Sequence, residues 1–81
     1  MKRKIRRVPY NFLHWKSLEL ELELYKEDKD IYHVEALRKL SECIVQIHKD
    51  GYYGEWWMEI DVDEFNRIFN KIVADARGEE V

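Results

Sequence analysis

Five of the fourteen Lys and Arg side chains, Lys2, Arg3, Lys4, Arg6 and Arg7, stand within the first seven residues, a stretch with no acid. Clustered cations neutralise phosphates and release condensed counterions without needing a preformed pocket. Tyr10, Phe12 and Trp15 follow closely enough to stack on nucleic-acid bases. The remainder of the chain has the opposite sign. Residues 8–81 carry nine basic and seventeen acidic side chains, so a +5 segment joins a −8 body and the total is −3.

The acids form a second group. Glu19, Glu21, Glu23, Glu55, Glu59 and Asp61 together make an acidic surface able to steer a basic partner. Near them lies an aromatic cluster, Tyr52, Tyr53, Trp56 and Trp57, of the residue types that dominate binding hot spots. A protein-contact reading therefore places Trp57, Tyr53, Glu55, Glu59, Glu19, Glu21 and Glu23 at an interface. The nucleic-acid alternative rests on Lys2, Arg3, Lys4, Arg6 and Arg7. A structural reading competes with both: the basic segment pairs with Glu19, Glu21 and Glu23 as an edge strand, and either a third strand or that segment, with Arg6 or Arg7 stacked on the ring, covers Trp57.

Catalytic chemistry finds little purchase. His14, His33 and His48 lack metal-ligand spacing, and the lone Cys43 offers at most one thiolate. There is no Gly-rich phosphate loop and no G-x-S-x-G elbow. Asp61, Asp63 and Glu64 have the chemistry for a divalent cation, but helix capping accounts for them more simply. His48 reads as a hydrogen-bonded core residue and Cys43 as a small, semi-buried one. The expectation is a non-enzymatic protein with no cofactor and no metal, acting as an inhibitor or adaptor.

Eighty-one residues support one domain, and a hydrophobic fraction of 46% with three Trp, five Tyr and three Phe supplies a core. A core of this size gives only about 3–5 kcal/mol of net stability, which makes a homodimer a natural consequence. One cysteine cannot form an internal disulfide, no run of about 20 apolar residues is present, and the basic start leads into Val8-Pro9-Tyr10 rather than a signal-type apolar stretch. A cytoplasmic protein with no membrane partner is expected.

The elements that position these groups follow from periodicity. Leu18, Leu20, Leu22 and Leu24 alternate with Glu19, Glu21 and Glu23, which predicts a strand over 17–25 with one wet, acidic face. Residues 3–9 would pair with 18–24, setting Lys4 opposite Glu23, Arg6 opposite Glu21 and Ile5 opposite Leu22. That register leaves Arg7 against Leu20, which counts against it. Residues 26–30 read as a surface loop. From Ile31 to Asp50, Val34, Leu37, Leu40, Ser41, Ile44, Val45, Ile47 and His48 share one side of a predicted amphipathic helix that stops at Gly51.

Glu55 to Val62 alternates again, with Trp56, Met58, Ile60 and Val62 inward and Trp57 outward among acids. Asp61 and Glu64 mark the start of a final helix whose apolar face is Phe65, Ile68, Phe69, Ile72, Val73 and Ala76, with Gly78 at its end. The predicted fold class is α+β: a small antiparallel sheet of two or three strands with two amphipathic helices packed on one face, in the order β(β)αβα. The whole of 1–81 forms one domain, with 1–7 as a basic arm or edge strand and 79–81 as a frayed tail.

Overall fold

The structure, a computed structural model, describes residues 3–50 and 54–78. Its elements run β1 (Ile5–Pro9), α1 (Phe12–Lys26), α2 (His33–Leu40), a short 3₁₀ turn (Ser41–Cys43), β2 (Ile44–Asp50), β3 (Glu55–Asp61) and α3 (Val62–Arg77). The domain is α+β as expected, but it has three α-helices rather than two, and the order is βααββα. The three strands form an antiparallel sheet in the order β1-β3-β2.

The predicted strand over 17–25 is overturned, because those residues lie inside α1. Leu and Glu both favour helix, and the deciding pattern begins earlier in the chain. Leu13, Ser17, Leu20 and Leu24 are all buried, a helical spacing that brings them onto one face. Ser17, with no solvent exposure, satisfies its hydroxyl by donating to the His14 carbonyl at 2.7 Å. On the outer side, Lys16–Glu19 and Lys26–Glu23 ion pairs at 3.3 and 3.4 Å flank the helix. The helix also runs into the expected 26–30 loop before it closes. Asp28 takes a positive φ of 59°, its N–H donates to Tyr25 O at 3.0 Å, and Lys29 N–H donates to Leu24 O at 2.8 Å. That is a Schellman closure with an aspartate in the position usually given to glycine.

The single helix predicted over Ile31–Asp50 is likewise corrected. Only 33–40 is α-helical, and 44–50 is a strand. The β-branched Ile44, Val45 and Ile47 favour the strand. Their alternation is hidden by an irregularity between Ile44 and Gln46, where the register on β3 skips a residue. The pairing proposed for the N-terminal segment changes partner. β1 lies along β3, with Val8 opposite Met58 and Arg7 opposite Glu59, not along 18–24. Pro9 is tolerated because β1 is an edge strand.

In the C-terminal half the strand, the cap and the helix end fall where the sequence puts them, while Trp56, expected inward, is half exposed and Ala74 rather than Ala76 is buried. Met58 and Ile60 are buried on the helix side of the sheet. The Asp61 carboxylate accepts the Glu64 N–H at 3.2 Å and caps α3, which ends at Gly78 in the left-handed region. Val8, Met58 and Ile60 meet Leu13, Leu20, Ala36, Leu40, Cys43, Ile68 and Ile72 in one core. An Arg77–Glu27 pair, with bonds of 2.8 and 2.7 Å, ties the end of α3 to the end of α1.

The Cys43 thiol lies in that core, and burial pushes its pKa up to about 11. It should therefore resist a disulfide reagent at about pH 8, where an ordinary thiol has appreciable thiolate. Rapid labelling only after addition of denaturant is the expected result of an Ellman titration.

Candidate functional site

Because α1 is a helix, its alternating leucines divide between two sides. Leu20 and Leu24 face the core, while Leu18 is half-buried and Leu22 is 56% exposed. Trp15 and Tyr25 are 61% and 72% exposed. Trp15, Leu18, Leu22 and Tyr25 follow a 3-4-3 spacing, which places them along one stripe on the outer side of α1, away from Leu13, Ser17, Leu20 and Leu24. The result is a helix that is apolar on two sides, with the core on only one of them.

Beside the stripe, α1 and α2 are locked together by polar contacts. A single Glu21 oxygen accepts the His33 backbone N–H at 2.8 Å and lies 2.7 Å from the His33 ring Nδ1. His33 is the first residue of α2, whose own N-cap, Tyr32, makes no side-chain capping bond. Glu21 therefore caps α2 from the neighbouring helix. The aromatic rings continue the outer surface: His14 packs edge-on to both Trp15 and His33, with centroids 6.4 and 6.2 Å away, and Tyr32 lies 5.3 Å from His33.

The hydrogen bond from the His33 side chain, with that from its backbone, holds the Glu21 carboxyl below its ordinary range. A carboxyl depressed on folding stabilises the fold above its unfolded value, and the contribution is lost as pH falls through the folded value. Glu21→Gln should thus lower stability at about pH 7, with the difference closing as pH falls through the folded value of Glu21. Urea unfolding of both chains across that range measures it, and a gap independent of pH would contradict the assignment.

Most interface residues expected from sequence are dispersed. Glu19, Glu21 and Glu23 sit on α1, so the expected acidic sheet face that would join them to Glu55 and Glu59 does not form. Trp57 is half-buried on the open side of the sheet, with the Arg7 guanidinium 5.2 Å from its ring centre. Its neighbour Trp56, expected to be buried, is half exposed and lies beside Tyr10 at 6.4 Å. Tyr53 lies outside the described residues. His48 is no helix-core residue: it stands on β2 facing Trp57 and Glu59, with Nε2 shielded from solvent, 3.4 Å from Glu59 Oε1 and not hydrogen-bonded.

The basic segment is largely drawn onto the fold. Arg3 pairs with the Asp61 carboxylate at 3.1 Å, Lys4 O accepts the Val62 N–H at 2.8 Å, and Arg6 and Arg7 belong to β1. Lys2 lies outside the described residues. Asp61 and Glu64 serve as cap and capped residue, and among the described residues no group of three His, Cys, Asp or Glu is placed to hold a metal ion. Nor, among them, is any helix long and apolar enough to cross a membrane.

What these observations define is a small α+β domain with a half-covered sheet and a doubly apolar helix. Compared with protein-family models, curated proteins and solved structures, the chain matches none.

Proposed function

We propose that this protein works by protein contact, in a binding role rather than a catalytic one, and that the outer side of α1 is its docking surface. The observation that carries the reading is the exposure of Trp15, Leu22 and Tyr25 on one stripe of a well-anchored helix. Fully burying a side chain of this size gains about 1.5–3 kcal/mol, and an amphipathic helix read at such spacings is a common recognition element. Its occupant is a partner with an apolar groove and a basic rim. Glu19, Glu21 and Glu23 outnumber Lys16 and Lys26 on this helix, and residues 8–81 carry −8.

Nucleic-acid contact through Lys2, Arg3, Lys4, Arg6 and Arg7 has less support, since Arg3 and Arg7 are engaged by Asp61 and Trp57 of their own chain. The test is a purified complex. A protein captured by the intact chain should rebind in pure form, lose that affinity on Leu22→Asp, and keep it on Ile5→Lys, an exposed sheet position. Equal affinity of the Leu22 variant would refute the docking surface.

A further inference from the structure

The two edges of the sheet differ in a way that selects a second partner surface. β1 is protected against pairing with another copy of itself. It carries Arg6 and Arg7, ends in Pro9, and follows Arg3 and Lys4, so an antiparallel copy would bring Arg against Arg near the centre. β2 carries no proline and no arginine, and its one irregularity, between Ile44 and Gln46, lies at the start of the strand and leaves 46–50 in regular register on β3. In its sequence Ile44-Val45-Gln46-Ile47-His48-Lys49-Asp50, Val45 and Ile47 are exposed. The single lysine does not guard the edge, because its ammonium lies back over the Trp56 ring, 5.8 Å from the centre.

The helix layer also stops short of this edge. It leaves an apolar hollow of about 440 Å³ beside β2, lined by Tyr10, Leu13, Leu37, Ile44, Ile47 and Met58 among others. We infer that β2 pairs with β2 of a second copy of this chain, joining two three-stranded sheets into one six-stranded antiparallel sheet.

Symmetry fixes most of the geometry. Two antiparallel edge strands related by a two-fold axis require that axis to stand perpendicular to the sheet, which puts both helix layers on the same side. A residue then faces one of the same side-chain parity. With the axis at Ile47, Ile47 meets its own copy on the helix side, where the two hollows adjoin. Gln46 meets His48 of the second copy on the open side, and Val45, at the irregularity, lies outside this regular register. No like charges are opposed over 46–49, in contrast to a self-pairing of β1 about Arg6 or Arg7. The charge pattern of the two edges and the self-matching of β2 select a second copy as the occupant, and this surface is separate from the docking surface on α1.

Sedimentation across a concentration series is the experiment. The intact chain should reach twice its 10.0 kDa mass, and Ile47→Lys should remain monomeric with an unchanged circular dichroism spectrum, since Ile47 is exposed. In a second arm, Ile47→Cys should be linked into a covalent dimer by a short bis-maleimide, whereas Leu22→Cys on α1 should not; Cys43 is buried and stays unlabelled. A monomer at every concentration overturns the inference. So does a dimer that survives Ile47→Lys, or one linked through position 22 instead of 47, which would place the contact on α1 or bring another edge into play.

Discussion

Leu20→Asp should leave the chain unfolded at 25 °C, while Leu22→Asp should retain the fold and its melting temperature. The two leucines are two residues apart and chemically identical, so the contrast isolates their surroundings. Leu20 is 2% exposed and packs with Leu13, Ala36 and Leu40 in the core. A carboxylate there must either ionise in an apolar site or take up a proton, at a cost of several kcal/mol that rivals the roughly 3–5 kcal/mol a domain of this size has in total. Leu22 points to solvent, where substitutions usually change stability by about 0.5 kcal/mol or less. An acid at position 22 also stands one helical turn before Lys26, a favourable order for an ion pair. Circular dichroism melts of the two variants measure the difference. Had 17–25 been a strand, both side chains would share a face and the two variants would behave alike.

The second large effect belongs to Leu40, which has no exposed surface and joins the end of α2 to the core formed with Cys43, Ile60 and Ile72. Leu40→Ala should reduce stability by about 2–5 kcal/mol, through lost burial and the cavity left behind. In a domain this small that places the midpoint of unfolding near or below room temperature. Val34→Ala, on the exposed side of the same helix, is the control and should change little. A cooperative urea transition for Leu40→Ala close to that of the intact chain would show that α2 is less firmly seated than its burial implies.

These effects mark where the fold is legible in the sequence. From Met58 onward the element boundaries follow the sequence because local and tertiary signals agree, whereas Trp56, expected inward, is half exposed. Met58 and Ile60 alternate inward, Asp61 caps, Glu64 receives the cap, and Gly78 closes the helix in the conformation glycine favours. Over 17–25 the signals conflict. Perfect alternation of Leu and Glu looks like a strand, yet in a helix the same residues fall into two i, i+4 pairs on different sides, Leu20 with Leu24 and Leu18 with Leu22. Only a window that opens at Leu13 shows that the first pair continues a helical core face with Leu13 and Ser17. The second pair has no core to meet, and a rule that places leucine inside cannot anticipate it.

For β2 the obstacle is the irregularity at Val45. By skipping one residue it breaks the period of two, and the remaining apolar positions mimic the spacing of the helix before them. The candidate site shares the fate of α1. Trp15 is visible as an aromatic near the basic segment, but its grouping with Leu22 and Tyr25 depends on the helix. The 3-4-3 spacing of Trp15, Leu18, Leu22 and Tyr25 is the signal that would have found it. Trp57, by contrast, is legible from the alternation of β3 and the nearby arginines, and Arg7 lies over its ring.

α1 divides its leucines between core and surface, and the most direct measurement of that division is the exposure of their methyl groups. In a nuclear magnetic resonance spectrum recorded with a soluble paramagnetic probe, the Leu22 methyls should broaden strongly and those of Leu18 partly, while Leu20 and Leu24 remain sharp. Equal broadening of all four would contradict the account, because it would return the leucines to a single face and remove the stripe on which the proposed docking surface depends.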